Sequence, residues 1–252
     1  MELIWHGTAS LEIACSEGRI LFDPFFPLNG SPVEVKPDEF DGFPVIFVTH
    51  GHLDHIASIP EIAERNPGTV IHCTKTPYET LTKKGVPESC LRLIDFDQPI
   101  NLSGFNIRPY HGRHAVLPKA TPKRIASAFI SPCRSNIPFI IRENRKCREN
   151  GETVFYQVEC GGKTVSVAGS MNLMDGVAYP EHSDLLVLPY SGWTDNFPPA
   201  VRMIERLKPE RIALYHFDNT FPPASSDIDL SPILERYGDR IFPFRLREPV
   251  ML

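Results

Sequence analysis

Between positions 49 and 55 the chain reads Thr-His-Gly-His-Leu-Asp-His, so three imidazoles (His50, His52, His55) and one carboxylate (Asp54) fall within six residues. Neutral imidazole nitrogen and carboxylate oxygen are the donors that borderline divalent metals take at about 2.0–2.2 Å. In extended backbone, residues two apart point the same way, which lets His50 and His52 converge on one ion. A turn after them can aim Asp54 and His55 at a second ion beside the first. Two ions about 3.5–4 Å apart can share a water, lower its pKa and clamp both ends of a hydrolytic transition state. A lone histidine is ordinarily a core or surface residue, but three with an aspartate at fixed offsets form a specific pattern. His114 and His216, each at the end of a strand-like run, add candidate ligands.

These side chains need rigid elements behind them. The apolar run at residues 45–49 suits a strand buried on both faces, and it delivers His50 at its carboxyl end. Residues 11–14 and 19–22 read as strands, the second ending on Asp23 before Pro24. A helix is predicted from Ser58 and Pro60 to about Arg65, stopped by Asn66-Pro67-Gly68, followed by a strand at 69–73. Thr76 and Glu79 have capping-box spacing for a helix ending at Gly85. Further strands are predicted at 91–96, 105–110, 154–159, 164–168, 184–188, 211–215 and 241–244, with Gly161-Gly162 as a hairpin turn. Helices are predicted near 199–207 and at 231–237. Strands with helices falling between some of them suit stacked sheets covered by helices, built as one domain over residues 1–252.

The composition is that of a globular protein: 252 residues, 42% hydrophobic and 23% charged. A net charge of −5 argues against a chain that coats nucleic acid. No apolar run approaches the roughly 20 residues that span a bilayer. The first residues, with an acid at Glu2, read as a strand rather than a signal peptide. Six scattered cysteines without a CxxC suggest free thiols in a reducing compartment, hence a cytoplasmic protein. Residues 113–148 depart from the strand–helix rhythm. Lys119, Lys123, Arg124, Arg134, Arg142, Arg145 and Lys146 there face only Glu143 and Glu149. This basic insertion, at about 113–150, reads either as a solvated loop or subunit-contact arm, or as a lid or wall that draws anionic substrates to the metals.

The series His50-x-His52-x-Asp54-His55 resembles the HxHxDH signature of the metallo-β-lactamase superfamily. Phe22-Asp23-Pro24 looks like the strand-end aspartate that precedes the signature, His114 in His111-Gly112-Arg113-His114 like the next metal histidine, and His216 like the last. Order and spacing are most similar to the UlaG-like branch of small metal-dependent hydrolases, over essentially the whole chain. The resemblance implies an α/β (α+β) fold: a four-layer αβ/βα sandwich of two mixed β-sheets flanked by helices, with metals at one edge between the sheets. It implies that His50, His52 and His114 hold one ion and Asp54, His55 and His216 the other, with Asp54 also orienting the attacking hydroxide. Asp23 would steady a ligand histidine from behind; its other reading is a turn aspartate before Pro24. His111 competes with His114 as ligand. Motif position favours His114, leaving His111 to support a ligand or contact substrate. His6 and His72 are assigned to structure, and His182 stays open.

One position breaks the family pattern. The aspartate that usually bridges both metals follows a strand in a Gly-Asp context, and here Gly169 is followed by Ser170. A neutral hydroxyl is a far poorer ligand than a carboxylate, which weakens the second ion; Asp175 is a candidate replacement. The expectation is a hydrolase using metal-bound hydroxide on an ester, lactone, amide or phosphoester of a small, anionic substrate. One or two divalent ions are expected, zinc foremost, with manganese and iron compatible. The alternatives are a phosphodiesterase or nuclease acting on RNA or nucleotides, disfavoured by the net charge, and a non-catalytic metal-binding sensor with a disabled centre. No membrane partner is expected, and assembly with further copies of the chain stays open.

Overall fold

Three N-terminal runs rich in Leu, Ile and Phe, joined by tight turns, form the antiparallel strands β1 (Glu2–Gly7), β2 (Ser10–Cys15) and β3 (Gly18–Phe22). They belong to a computed structural model that describes residues 1–116, 120–191, 195–225 and 228–252. Beside β3 the chain switches to parallel pairing, in the order β4 (Val45–Phe47), β5 (Val70–Cys73) and β6 (Leu91–Leu93). The helices α1 (Leu53–Ile56), α2 (Ile59–Arg65) and α3 (Lys75–Lys83) make the crossovers. The second sheet starts with β7 (Ile100–Leu102) and β8 (Phe105–Gly112). After α4 (Pro122–Ile130) and α5 (Ile137–Lys146) it continues through β9 (Thr153–Cys160), β10 (Lys163–Ala168), β11 (Leu185–Pro189), α6 (Phe197–Leu207) and β12 (Arg211–Tyr215). Then α7 (Ser231–Tyr237) leads to β13 (Val250–Met251), which returns to pair with β1.

The sheets run β13-β1-β2-β3-β4-β5-β6 and β12-β11-β10-β9-β8-β7, and both mix parallel with antiparallel pairs. Their facing sides bury Leu11, Ile13, Phe22 and Phe47 against Tyr156, Val158, Val165 and Val187. The Phe22 and Tyr156 rings meet edge to face at 5.4 Å, a favoured aromatic geometry. Outside the first sheet, Ile56, Ile59, Ile62 and Leu81 pack on Ile46 and Ile71; outside the second, Ala200, Met203, Ile204 and Leu207 pack on Leu186 and Leu188. This is the expected four-layer αβ/βα sandwich, an α/β fold. Among the described residues, no helix is long and apolar enough to cross a membrane.

Four local expectations are corrected. Residues 241–244 make no strand: Ile241 forms one bridge to Ile212, and the strand closing the first sheet lies further on, at Val250–Met251. The strand predicted over 91–96 ends at Leu93. Thr76 does not cap α3, which begins one residue earlier behind Thr74; the Thr76 N–H donates instead to the Glu152 carboxylate at 2.8 Å. A distant loop thus satisfies the free amide that a local capping box would have served. Residues 122–130 and 137–146 form two helices where the sequence showed little period. Ile140, Glu143 and Cys147 turn inwards, whereas α4 has no buried residue. Lys119 of that basic segment lies outside the described residues.

Candidate metal centre

Strands β3, β4, β8, β10 and β12 all point their carboxyl ends at one edge of the sandwich, and each is followed by a side chain of the site: Asp23, His50, His114, Ser170 and His216. The backbone N–H of Val154, at the start of β9, donates to the Thr49 carbonyl at 2.8 Å and ties the sheets together beside the site. After β4 the chain stays extended through His52 (φ −72°, ψ 158°) and then turns into the single turn of α1. That change from extended to helical backbone sends Asp54 and His55 sideways from His50 and His52. Asp23 (φ 43°) and His216 (φ 65°) sit in the left-handed region, which non-glycine residues adopt only where the surroundings enforce it.

Six of the predicted residues come together as two triads: His50, His52 and His114, and Asp54, His55 and His216. Within each, one nitrogen or oxygen per residue lies within 4.8 Å of the others. His50 Nε2 is 3.1 Å from His52 Nδ1, and His216 Nε2 is 3.2 Å from Asp54 Oδ2. Donors around a tetrahedral ion at about 2.0–2.1 Å stand roughly 3.3 Å apart, so both spacings suit two ligands of one ion. The triads share a wall, with the His50 and His55 rings 3.9 Å apart.

Hydrogen bonds fix which nitrogen faces the cleft. The Thr49 hydroxyl donates to Asp23 Oδ2 at 2.5 Å and so is left to accept from His50 Nδ1 at 3.0 Å. Asp23, fully buried, also accepts from the Thr49 N–H and from His55 Nδ1, each at 2.8 Å. His114 Nδ1 donates to the Ala115 carbonyl at 2.7 Å. In all three rings the proton is held at Nδ1 and the Nε2 lone pair is left for a metal, the tautomer such support selects.

The electrostatics fit the same use. Burial, reinforced by the neighbouring imidazoles, holds His50 well below the ordinary histidine pKa. Burial also takes His52 down to about 4 and lowers His114. These rings are therefore neutral at neutral pH, the form that binds metal. Burial alone would raise Asp54, but the His55 and His216 imidazoles hold it well below the usual carboxylate range. Burial would likewise lower His55, yet the Asp23 and Asp54 carboxylates outweigh it. A cation at the second triad would take the place of that proton.

The described residues enclose a cleft of about 220 Å³ over the triads, walled by Leu53, Ala115, Asn144, Ser170, Met171, Pro189, Ser191, Asn196, Phe221 and Ala224. None of these described wall residues is Lys or Arg; the basic insertion contributes Ala115 and Asn144 besides His114, and its Arg124 donates to the carbonyl of the wall residue Ala224 at 3.2 Å. Lys83, Lys84, Arg142, Arg145 and Lys146 instead surround a separate cavity between α3 and α5. His111 is not brought to the cleft either; it is exposed and stacks on Phe96 at 3.7 Å. Asp175 is exposed and absent from the cleft wall, so it does not replace the charge missing at Ser170. His6 pairs with Glu12 at 3.0 Å and His72 stacks on Phe47 at 5.1 Å, both in structural settings, while His182 is exposed beside Glu181. Thr49 is the residue the sequence reading left without a role. Its place between the buried strand and His50 was the available signal.

The beta-lactamase superfamily domain model matches residues 18–217, most of the chain and all six triad residues. The chain therefore belongs to the metallo-β-lactamase superfamily and stands among its metal-dependent hydrolases. It is 27% identical to a UPF0173 metal-dependent hydrolase from Bacillus velezensis, over 91% of this chain and 90% of the relative. It is also 27% identical to one from Thermoplasma volcanium, over 100% of this chain and 99% of the relative. Among solved structures it is similar to Igni18, a metallo hydrolase from Ignicoccus hospitalis, with a TM-score of 0.65, 20% identity and coverage of 99% and 97% of the two chains.

Proposed function

We propose that the cleft is a hydrolytic centre for a small substrate in the UlaG-like branch of the superfamily. In this reading His50, His52 and His114 hold one divalent ion and Asp54, His55 and His216 a second, weaker one. The observation that carries it is the convergence of two triads in one cleft, with the tautomers of His50, His55 and His114 set from behind. Divalent ions held there, zinc foremost, supply an activated water and polarise the oxygen of an ester, lactone, amide or phosphoester. Asp54 adds orientation: with one oxygen towards His216, its carboxylate can accept from the attacking water. Asp23 and Thr49 hold His55 and His50 so that little reorganisation is left to the reaction.

Ser170 weakens the second ion, because a hydroxyl brings no negative charge to the pair. A cleft of about 220 Å³ without Lys or Arg in its described wall suits a small molecule better than a polynucleotide, whose phosphates call for cationic side chains. We read the chain as one domain carrying a basic insertion at about 113–150. Six free thiols suit a reducing compartment, which supports a cytoplasmic location.

The test is a panel of small esters, lactones and phosphodiesters with metal-loaded protein. Asp54→Ala should lower kcat at least about a hundredfold, with the ion at His50, His52 and His114 retained. Turnover unchanged by that substitution would overturn the reading.

A further inference from the structure

The six candidate ligands carry a single carboxylate. Two divalent ions would bring four positive charges to the cleft, and Asp54 offsets one of them. The other nearby carboxylate, Asp23, lies behind the triads with its oxygens committed to Thr49 and His55. No Asp or Glu besides Asp54 is in the described wall, and much of that wall is apolar: Leu53, Met171, Pro189 and Phe221. Like charges close together in such surroundings repel strongly, so a second ion is held well only if an anion arrives with it.

Ser170 marks where that anion would sit. It follows the carboxyl end of β10 in the wall shared by both triads, is 8% exposed, and accepts from the Ala115 N–H at 3.0 Å. Among the described residues its hydroxyl donates to nothing, so a hydrogen-bond donor is held in place beside the ligands. The backbone just before Ser170 is closely packed: a Cβ at Gly169 would run into the Val154 carbonyl and the Thr49 side chain. Phosphate-bearing ligands are ordinarily met by Arg or Lys, and the described residues of this wall include neither. A carboxylate, with one charge and two oxygens, needs only the ions and one or two neutral donors.

We infer that the substrate brings its own carboxylate, which takes the space in front of Ser170, accepts from the Ser170 hydroxyl and supplies the negative charge that holds the second metal ion. The substrate class is then a small ester, lactone or amide bearing a free carboxylate, and second-ion binding and substrate binding are thermodynamically linked. This rests on the two-ion reading above.

Calorimetric titration of the metal-free protein with zinc chloride tests it, in chloride buffer and with acetate, or methyl phosphate, added at matched ionic strength. One tight equivalent is expected in chloride, with a second that tightens about tenfold or more in acetate, within the ordinary range of coupling between sites. Ser170→Asp should take up two tight equivalents without acetate and respond little to it. Ser170→Ala, which leaves the charge missing, should keep the dependence. Two tight equivalents in chloride, or a second equivalent indifferent to acetate, would overturn the inference and leave the metal centre standing. Tightening by methyl phosphate alone would overturn the carboxylate assignment. If uptake is absent, or unaffected by His50→Ala and Asp54→Ala, the underlying metal-centre reading fails instead.

Discussion

Thr49 and Asp23 show how much of a metal site lies behind its ligands. The Asp23 carboxylate, fully buried, accepts from the Thr49 amide, the Thr49 hydroxyl and the His55 ring, and the same hydroxyl supports His50. One carboxylate therefore sets the ring proton of a histidine in each triad, directly for His55 and through Thr49 for His50. Asp23→Asn keeps the size but puts an amide where an acceptor is needed. Supporting groups of this kind are worth about 10–100-fold in metal affinity. We expect a loss in that range, read by competition with a chromophoric chelator, while the far-ultraviolet circular dichroism keeps its native shape. The sequence displayed Asp23 at a strand end but not these bonds, because its partners stand 26 and 32 residues away.

At the scale of elements, the loop carrying the signature is held from outside as well as from below. Gly51 lies directly against the backbone carbonyl of Arg148, and a Cβ at that position would overlap it. The end of the basic insertion is thus seated on the metal loop, and the close approach requires glycine for lack of a side chain rather than for any unusual φ. Gly51→Ala should cost about 2 kcal/mol, as overpacking of a filled site does. It should also weaken metal uptake by shifting His50 or His52; a melting temperature and metal affinity equal to wild type would refute this. Local sequence rules served the strands well here: the apolar run before His50 and the Gly161-Gly162 hairpin both form as expected. They failed where tertiary partners took over. Glu152 displaced the capping box at Thr76, and the last strand pairs with β1 from residues beyond the apolar stretch that looked most strand-like.

Across the whole molecule, the insertion is fastened to the body by charge. Glu143 of α5, 5% exposed, bonds Lys84 beyond α3 and also accepts from Arg142 at 2.9 Å. Burial would raise this carboxyl, but Lys84 and Arg142 hold it below its ordinary value of 4.5. A depressed carboxylate contributes stability that is fully present above the unfolded pKa and is lost as pH falls through the folded one. Glu143→Gln should therefore destabilise the protein at neutral pH by about 2 kcal/mol, the cost of a buried polar partner left unmatched. The difference from wild type should shrink below about pH 4.5; a pH-independent difference would contradict this account.

The sequence by itself determined the ligand types, the spacing of His50, His52, Asp54 and His55, and the strands that present them, because these depend on residue chemistry and on backbone periods of a few residues. It also singled out Ser170 as the position without its expected charge. Only the tertiary structure decided that His114 rather than His111 reaches the cleft, that Asp175 stays outside it, and that Arg142, Arg145 and Lys146 of the insertion line a different cavity. The reason is range. Each of those outcomes depends on which face of a long segment meets a strand end folded from elsewhere in the chain, and composition and spacing carry no record of that meeting.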